Sequence, residues 1–160
     1  MHGRYLYIID GHNLIPKVNG LSLKMEDDEL ELVKRLQTFA RVKRASVEVF
    51  FDQGQVGNSG SKHSGMVITH FVKKGVTADH EIIVRMQTLK KQSQAVTIVT
   101  SDHQIITEAH ALRFKIIKSE EFSQILAQSM MDEQKGSGQN TRPLSADELD
   151  EWLKLFGEND

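Results

Sequence analysis

The sequence predicts an α/β fold around a largely parallel β-sheet. Short runs rich in β-branched and aromatic residues recur along the chain: RYLYIID, SVEVFFD, MVITHFV and AVTIVT. Longer segments with apolar residues at helical spacing lie between them. Aspartates stand where the strand-like runs end, and in a parallel sheet such positions gather at one rim, where α/β folds bind their ligands.

Arg4–Asp10 reads as a buried strand stopped by Gly11. Glu26, Asp27 and Asp28 open a helix, since acids suit its positive end. Leu30, Val33, Leu36, Phe39 and Ala40 continue it at mostly three-residue steps, and Arg41, Lys43 and Arg44 close it. Ser46–Asp52 is a second strand. Gln53–Gly65, with four glycines and three serines, predicts a mobile loop. Met66–Val72 is a third strand, ended by Lys73-Lys74-Gly75. Thr77 is placed to cap a helix from Ala78 to about Gln92, with Ile82, Ile83, Met86 and Leu89 inward. Ala95–Thr100 predicts a strand, His103–Arg113 a helix, Phe114–Lys118 a fifth strand and Glu120–Met131 a further helix. The expected organisation is one domain over 1–131, a polar linker over 132–144 containing Gly136-Ser137-Gly138, and a short helical tail over 145–160. Ser145-Ala146-Asp147-Glu148 forms a capping box for that tail, ahead of Leu149, Trp152, Leu153 and Phe156.

Composition narrows the function. In 160 residues, 20 Lys+Arg against 22 Asp+Glu leave a formal charge of −2, so bulk positive charge cannot drive nucleic-acid binding and a local patch must. At 39% hydrophobic the chain can bury an ordinary core. With no cysteine, disulfides, thiolate chemistry and Cys-ligated zinc are excluded. No apolar run approaches the roughly 20 residues that span a bilayer, and the start of the chain lacks a cleavage-site pattern, so a cytoplasmic protein is expected.

Asp10, Asp52 and Asp102 stand at or just after strand ends, and Asp79 lies in the first turn of a helix following a strand. Each alone reads equally as a cap or turn residue. Together at one rim they would repel unless a cation or protons neutralised them, and Mg²⁺ or Mn²⁺ takes oxygen ligands of this kind. Asn13 either anchors the turn Asp10-Gly11-His12-Asn13 or hydrogen-bonds a phosphate or bound water. Thr100 and Ser101 supply hydroxyls beside Asp102. His12, His80 and His103 each follow closely on an aspartate and suit a phosphate contact, metal ligation or a plain surface position. Lys73 and Lys74, and Lys62 and His63 in the glycine-rich loop, are placed to meet an RNA backbone. Only 6% of residues are aromatic, so base stacking is not the expected source of specificity.

The segments IIDGHNLI, FFD, GVTADHEI and VTSD, in that order, together with the ending LSADELDEWLKLFG, resemble the YacP-like branch of the NYN domain family, ribonucleases of the PIN-like nuclease superfamily. The resemblance implies a PIN-like three-layer sandwich with a mainly parallel central sheet of about five strands. It implies metal-dependent cleavage of RNA, 5′-phosphate and 3′-hydroxyl products, and association with ribosomes. It maps the family's acids to Asp10, Asp79 and Asp102 and its asparagine to Asn13. Relatives carry a second acid directly after the T-A-D aspartate, where this chain has His80. Glu81 comes one residue later, about 100° further round a helix, so Asp52, Glu81 and Glu108 all stand as candidates for a fourth carboxylate.

The function expected is endonucleolytic hydrolysis of RNA (mRNA, rRNA or tRNA) by a Mg²⁺ or Mn²⁺ enzyme. Asp10, Asp79 and Asp102 are the expected ligands, and Asn13, Thr100, Ser101, Lys73 and Lys74 the expected substrate contacts. The competing expectation is a non-catalytic RNA- or ribosome-binding module with a degenerate site, to which His80 points. An aspartyl-phosphate phosphatase would want an acid two residues after its nucleophile, where His12 stands, and a dinucleotide fold would want a glycine-rich fingerprint that the first turn lacks.

Overall fold

The structure, a computed structural model, describes residues 5–24, 27–52 and 60–138. Six strands form one sheet in the order β3-β4-β2-β1-β5-β6: β1 (Leu6–Asp10), β2 (Ser46–Phe51), β3 (Gly60–Ser64), β4 (Val67–Phe71), β5 (Val96–Val99) and β6 (Lys115–Ile117). All neighbours run parallel except β3, which returns antiparallel on β4. Among the described residues five α-helices accompany the sheet: α1 (Gly11–Leu14), α2 (Asp28–Lys43), α3 (Ala78–Leu89), α4 (His103–Ala111) and α5 (Ser119–Gly138).

A parallel sheet is covered on both faces, which explains why its strands read as continuous apolar runs. Successive side chains of β1 point to opposite faces, and the packing follows that period. Ile9 packs with Leu32, Leu36 and Phe39 of α2 and Phe122 and Leu126 of α5. Ile8 packs with Ile82 and Met86 of α3 and Ile105 and Ala109 of α4. The result is the three-layer sandwich expected. On the α2–α5 side, Tyr7 meets Phe39 edge-on with ring centroids 4.9 Å apart, and Phe39 meets Phe122 at 5.0 Å.

A separate polar cluster holds the other side. Glu48, in the middle of β2, is 4% exposed. Arg85 of α3 donates to both its oxygens, from Nε at 2.9 Å and Nη2 at 2.7 Å, and His70 Nε2 lies 3.0 Å from Oε1. His70 Nδ1 in turn meets the Ser61 hydroxyl at 2.7 Å, which ties β3 into the network. Burial would raise the Glu48 pKa, but hydrogen bonds and charge from His70 and Arg85 outweigh it and bring the group to about 2.

The structure corrects three sequence-based expectations. Gln53–Gly65 is not loop throughout: Gly60–Ser64 is β3, so the sheet has six strands rather than about five. Its residues are polar and mostly exposed because it is an edge strand held by backbone pairing with β4, which leaves no apolar periodicity to read. Residues 53–59 lie outside the described residues. The helix expected to stop at Met131 runs on to Gly138, so the first part of the expected linker is helical, held to α2 by Arg41 Nη2 on Glu133 Oε1 at 3.0 Å. The rest of the linker and the tail over 145–160 lie outside the described residues. α3 ends at Leu89, and Lys90–Ala95 is a 3₁₀ segment broken at Gln92 (φ −112°).

Candidate active site

Parallel pairing in register brings the ends of β1, β2 and β5 level. Asp10 ends β1, Asp52 follows β2, and Thr100, Ser101 and Asp102 follow β5. Gly11 is what lets the chain turn here. A Cβ on it would overlap Cε1 and Cδ1 of Phe51 and lie 3.0 Å from the Phe50 carbonyl oxygen, so only glycine fits between β1 and β2 at this point.

The Asp10 carboxylate is 6% exposed. Thr100, fully buried, donates its hydroxyl to Oδ2 at 3.3 Å and accepts the Asp102 N–H at 3.1 Å, so one hydroxyl ties two of the acids together. Burial raises the Asp10 pKa to about 7, with the negative charges of Asp79 and Asp52 adding to it and the Asn13 backbone N–H and Thr100 hydroxyl opposing. Asp79 is raised as well, first by burial and then by Asp102 and Asp52. The charges of Asp79 and Asp52 thus reach Asp10, and those of Asp102 and Asp52 reach Asp79. Asp52, one of the three candidates for a fourth acid, is among the charges that raise both Asp10 and Asp79.

Asp52 has a structural task too. Its Oδ1 accepts the Ala78 N–H at 2.7 Å, while Thr77 caps α3 by accepting the His80 N–H at 3.1 Å. The turn before α3 closes through Val76 N on the Lys73 carbonyl with Gly75 at φ 88°, a conformation glycine adopts without strain. Asp102 caps α4, its Oδ1 accepting from Gln104 N and Ile105 N.

Asn13 is bound into the structure from the far side. Its Oδ1 accepts the Ser101 N–H at 2.9 Å and the Ser119 hydroxyl at 2.6 Å. Ser101 Oγ accepts the Ser119 N–H at 3.0 Å and donates to Glu120 Oε1 at 2.6 Å. That bond, above all, lowers the Glu120 pKa.

Lys73 and Lys74 are exposed in the turn leading to α3, on the same side as the acids. His12 lies with Nε2 2.6 Å from Glu29 Oε2 and Nδ1 3.8 Å from Asp52 Oδ2. The hydrogen bond that Glu29 accepts from it raises its pKa against the effect of burial. The side chains of His80 and His103 are exposed. Glu81, nearly opposite Asp79 round α3, lines a cavity of about 390 Å³ with Arg85, Val84 and Lys73. Glu108 is half-buried on α4. His63 is not at the rim: it lines a cavity of about 780 Å³ with Ser46, Gly65 and Val96, at the amino ends of the parallel strands. β3 runs antiparallel, so its residues descend away from the acids, and Lys62 pairs with Thr69 midway along β4.

Sequence reasoning missed Ser119, Glu120 and Glu29. The two glutamates read as ordinary acids in the first turn of a helix, and no local pattern ties Ser119 to a residue 106 positions earlier.

Among the described residues, no three His, Asp or Glu side chains stand close enough together to hold one metal ion. The donor chemistry nonetheless fits a hard divalent ion. The set is all oxygen, its buried member has neutral hydrogen-bond donors but no cation beside it, and its neighbours carry the same sign of charge.

The YacP-like NYN domain family matches residues 7–155 of the chain. No curated protein matches it in sequence. Its fold is similar to the crystal structure of Rae1 (YacP) from Bacillus subtilis, with a TM-score of 0.76 at 18% identity over 96% of this chain and 88% of that one. A tryptophan-to-leucine mutant of the same Bacillus subtilis protein matches with a TM-score of 0.70 at 19% identity, over 86% of each chain.

Proposed function

The chain belongs to the YacP-like NYN domain family, of PIN-like nuclease type, and from that premise we propose that it is a metal-dependent endoribonuclease hydrolysing phosphodiester bonds in mRNA, rRNA or tRNA. One observation supports this above the rest: a buried aspartate at the carboxyl rim of the sheet, with a pKa near 7, faces other acids and no cation. A carboxylate kept in that condition costs stability, and a bound cation removes the cost.

In this reading Asp10, Asp79 and Asp102 hold one or two Mg²⁺ or Mn²⁺ ions, with Asp52 as the supporting fourth acid. The bound ion supplies charge neutralisation and Lewis acidity at the scissile phosphate. Thr100 holds Asp10 Oδ2 and the Asp102 backbone in fixed relation. Asp102 spends Oδ1 on the α4 cap, which leaves Oδ2 for a ligand. Asp52 fixes the start of α3 and so the position of Asp79. Lys73 and Lys74 pair with phosphates flanking the cleaved one. The work is placed in the cytoplasm, with ribosome-bound RNA among the targets. No helix among the described residues is long and apolar enough to cross a membrane.

Cleavage of structured and unstructured RNAs with Mn²⁺, Mg²⁺ or EDTA, beside Asp10→Asn, tests the proposal. Divalent-dependent cleavage lost in the variant is expected. The second reading, a non-catalytic RNA- or ribosome-binding module, draws on the missing three-residue ligand group and on His80. It predicts RNA binding without cleavage under every metal condition.

A further inference from the structure

We infer that Ser119 is a positioning residue that orients the Asn13 side chain so that its Nδ2 donates to a phosphate oxygen of the bound RNA. The inference rests on the ribonuclease reading and deepens it.

The orientation of the Asn13 amide follows from donor chemistry. A backbone N–H can only donate, so the atom 2.9 Å from the Ser101 nitrogen must be the carbonyl oxygen Oδ1. The Ser119 hydroxyl, 2.6 Å from the same atom, then donates its proton there. Two donors occupy Oδ1, so Asn13 has its oxygen committed inside the fold and is a poor metal ligand. No hydrogen bond among the described residues uses Nδ2. Among the described residues no buried side-chain nitrogen or oxygen lacks a partner either, so Nδ2 is not sealed from solvent. Asn13 thus presents an unspent N–H₂ donor three residues beyond the Asp10 carboxylate. Such a donor suits an anionic oxygen, and RNA phosphate is the anion the site would take.

Ser119 is what makes this arrangement hold. It is fully buried at the start of α5, and its own N–H is bound to Ser101 Oγ, so neither its backbone nor its hydroxyl is free to turn elsewhere. α5 therefore reaches Asn13 through one hydroxyl, without contributing a group that touches substrate. Glu120 steadies the same corner through Ser101 Oγ.

The test compares the parent with Ser119→Ala and with Ser119→Cys, which keeps the shape and a weak donor. Cleavage of a defined RNA in Mn²⁺ should fall in kcat/KM by about tenfold to a hundredfold for Ser119→Ala, the worth of one charge-assisted hydrogen bond, and by less for Ser119→Cys. The rise in melting temperature on adding Mn²⁺ should stay at the parental value in both. A readout independent of cleavage is the Asn13 side-chain amide pair in ¹⁵N spectra, identified by its loss in Asn13→Asp. Titration of RNA in EDTA should move that pair in the parent and not in Ser119→Ala. Parental kcat/KM in Ser119→Ala, an amide pair indifferent to RNA in the parent, or loss of the Mn²⁺ shift together with activity would overturn the inference. If Ser119→Ala does not fold, Ser119→Cys decides on the same measurements. If the parent cleaves no RNA, the ribonuclease reading fails, and the amide titration still judges the phosphate contact by itself.

Discussion

Asp52 Oδ1 accepts the backbone N–H of Ala78 at 2.7 Å, so an acid at the end of β2 fixes the helix that carries Asp79. The two act on each other in opposite ways. The hydrogen bond secures α3, while the Asp52 charge helps raise the Asp79 pKa. Asp52→Asn should therefore separate the two effects. Its amide oxygen still accepts from Ala78, so the melting temperature should move by no more than a few degrees, while Mn²⁺ affinity falls through loss of a nearby negative charge. A melting temperature that collapses would show that the charge itself secures α3.

Asp10 makes stability fall as pH rises. Its folded pKa is about 7 against about 3.9 in an unfolded chain, so between those values the folded state holds a proton the unfolded state has released. The Asp10 term is most favourable below about pH 4 and is lost as pH climbs through 7, at a total cost on the order of 4 kcal/mol. Urea unfolding of the metal-free parent between pH 4 and 8 should show this slope, and Asp10→Asn should remove it and exceed the parent in stability above pH 7. An ion must displace the same proton, so Mn²⁺ affinity should rise with pH over this range.

Asp79→Asn should abolish or strongly reduce cleavage and leave the metal-free protein as stable as the parent or slightly more so. Asp79 is only partly buried, so water screens its repulsion and the gain is under about 1 kcal/mol. Thermal melts with and without Mn²⁺ complete the test, because binding to the folded state raises the melting temperature by mass action. Full activity with the parental Mn²⁺ shift would remove Asp79 from the ligand set.

Gly11→Ala should destabilise by about 2–3 kcal/mol or more, since its methyl overlaps the Phe51 ring and the backbone carbonyl of Phe50 limits retreat. Adding Phe51→Leu should recover part of the loss in a double-mutant cycle. Independent, additive effects would show that the two residues do not compete for the same space.

Arg85→Met should cost about 3 kcal/mol at neutral pH, the low end for breaking a buried pair, because Arg85 itself is partly exposed. The Glu48 pKa is depressed to about 2, so this contribution is present above about pH 4.3 and lost as pH falls towards 2. Denaturation curves for parent and variant should therefore converge in acid.

Much of the fold was legible because buried parallel strands and amphipathic helices write their environment into local composition. β1, β2, β4, β5 and β6 each carried an apolar run, and α2 and α3 a helical stripe. What could not be read depends on partners distant in sequence. β3 is polar and exists through β4. The end of α5 looked like linker because its sequence is polar and carries Gly136-Ser137-Gly138, and Arg41, 92 residues from Glu133, helps hold it. Asp10, Asp79 and Asp102 were found from strand ends and a motif, but the coupling of Asp52 to them follows from β2 lying beside β1. Glu48 in SVEVFF gave no hint of Arg85, 37 residues on.

The placement of β1 at the centre of the sheet sets an order on biosynthesis. Asp10 precedes in the chain every partner of its strand, since β1 pairs on one side with Ser46–Phe50 and on the other with Val96–Val99. Thr100, Asp102 and Ser119, which fix the rim, come later still. Long-range pairings of this kind close late, since each must offset the entropy of a large loop. A nascent chain ending before Thr100 would display Asp10 without the hydroxyl that holds it, and one ending before Ser119 would lack the hydroxyl that holds Asn13. The candidate site is therefore completed only once the residues from β1 through the start of α5 are all present.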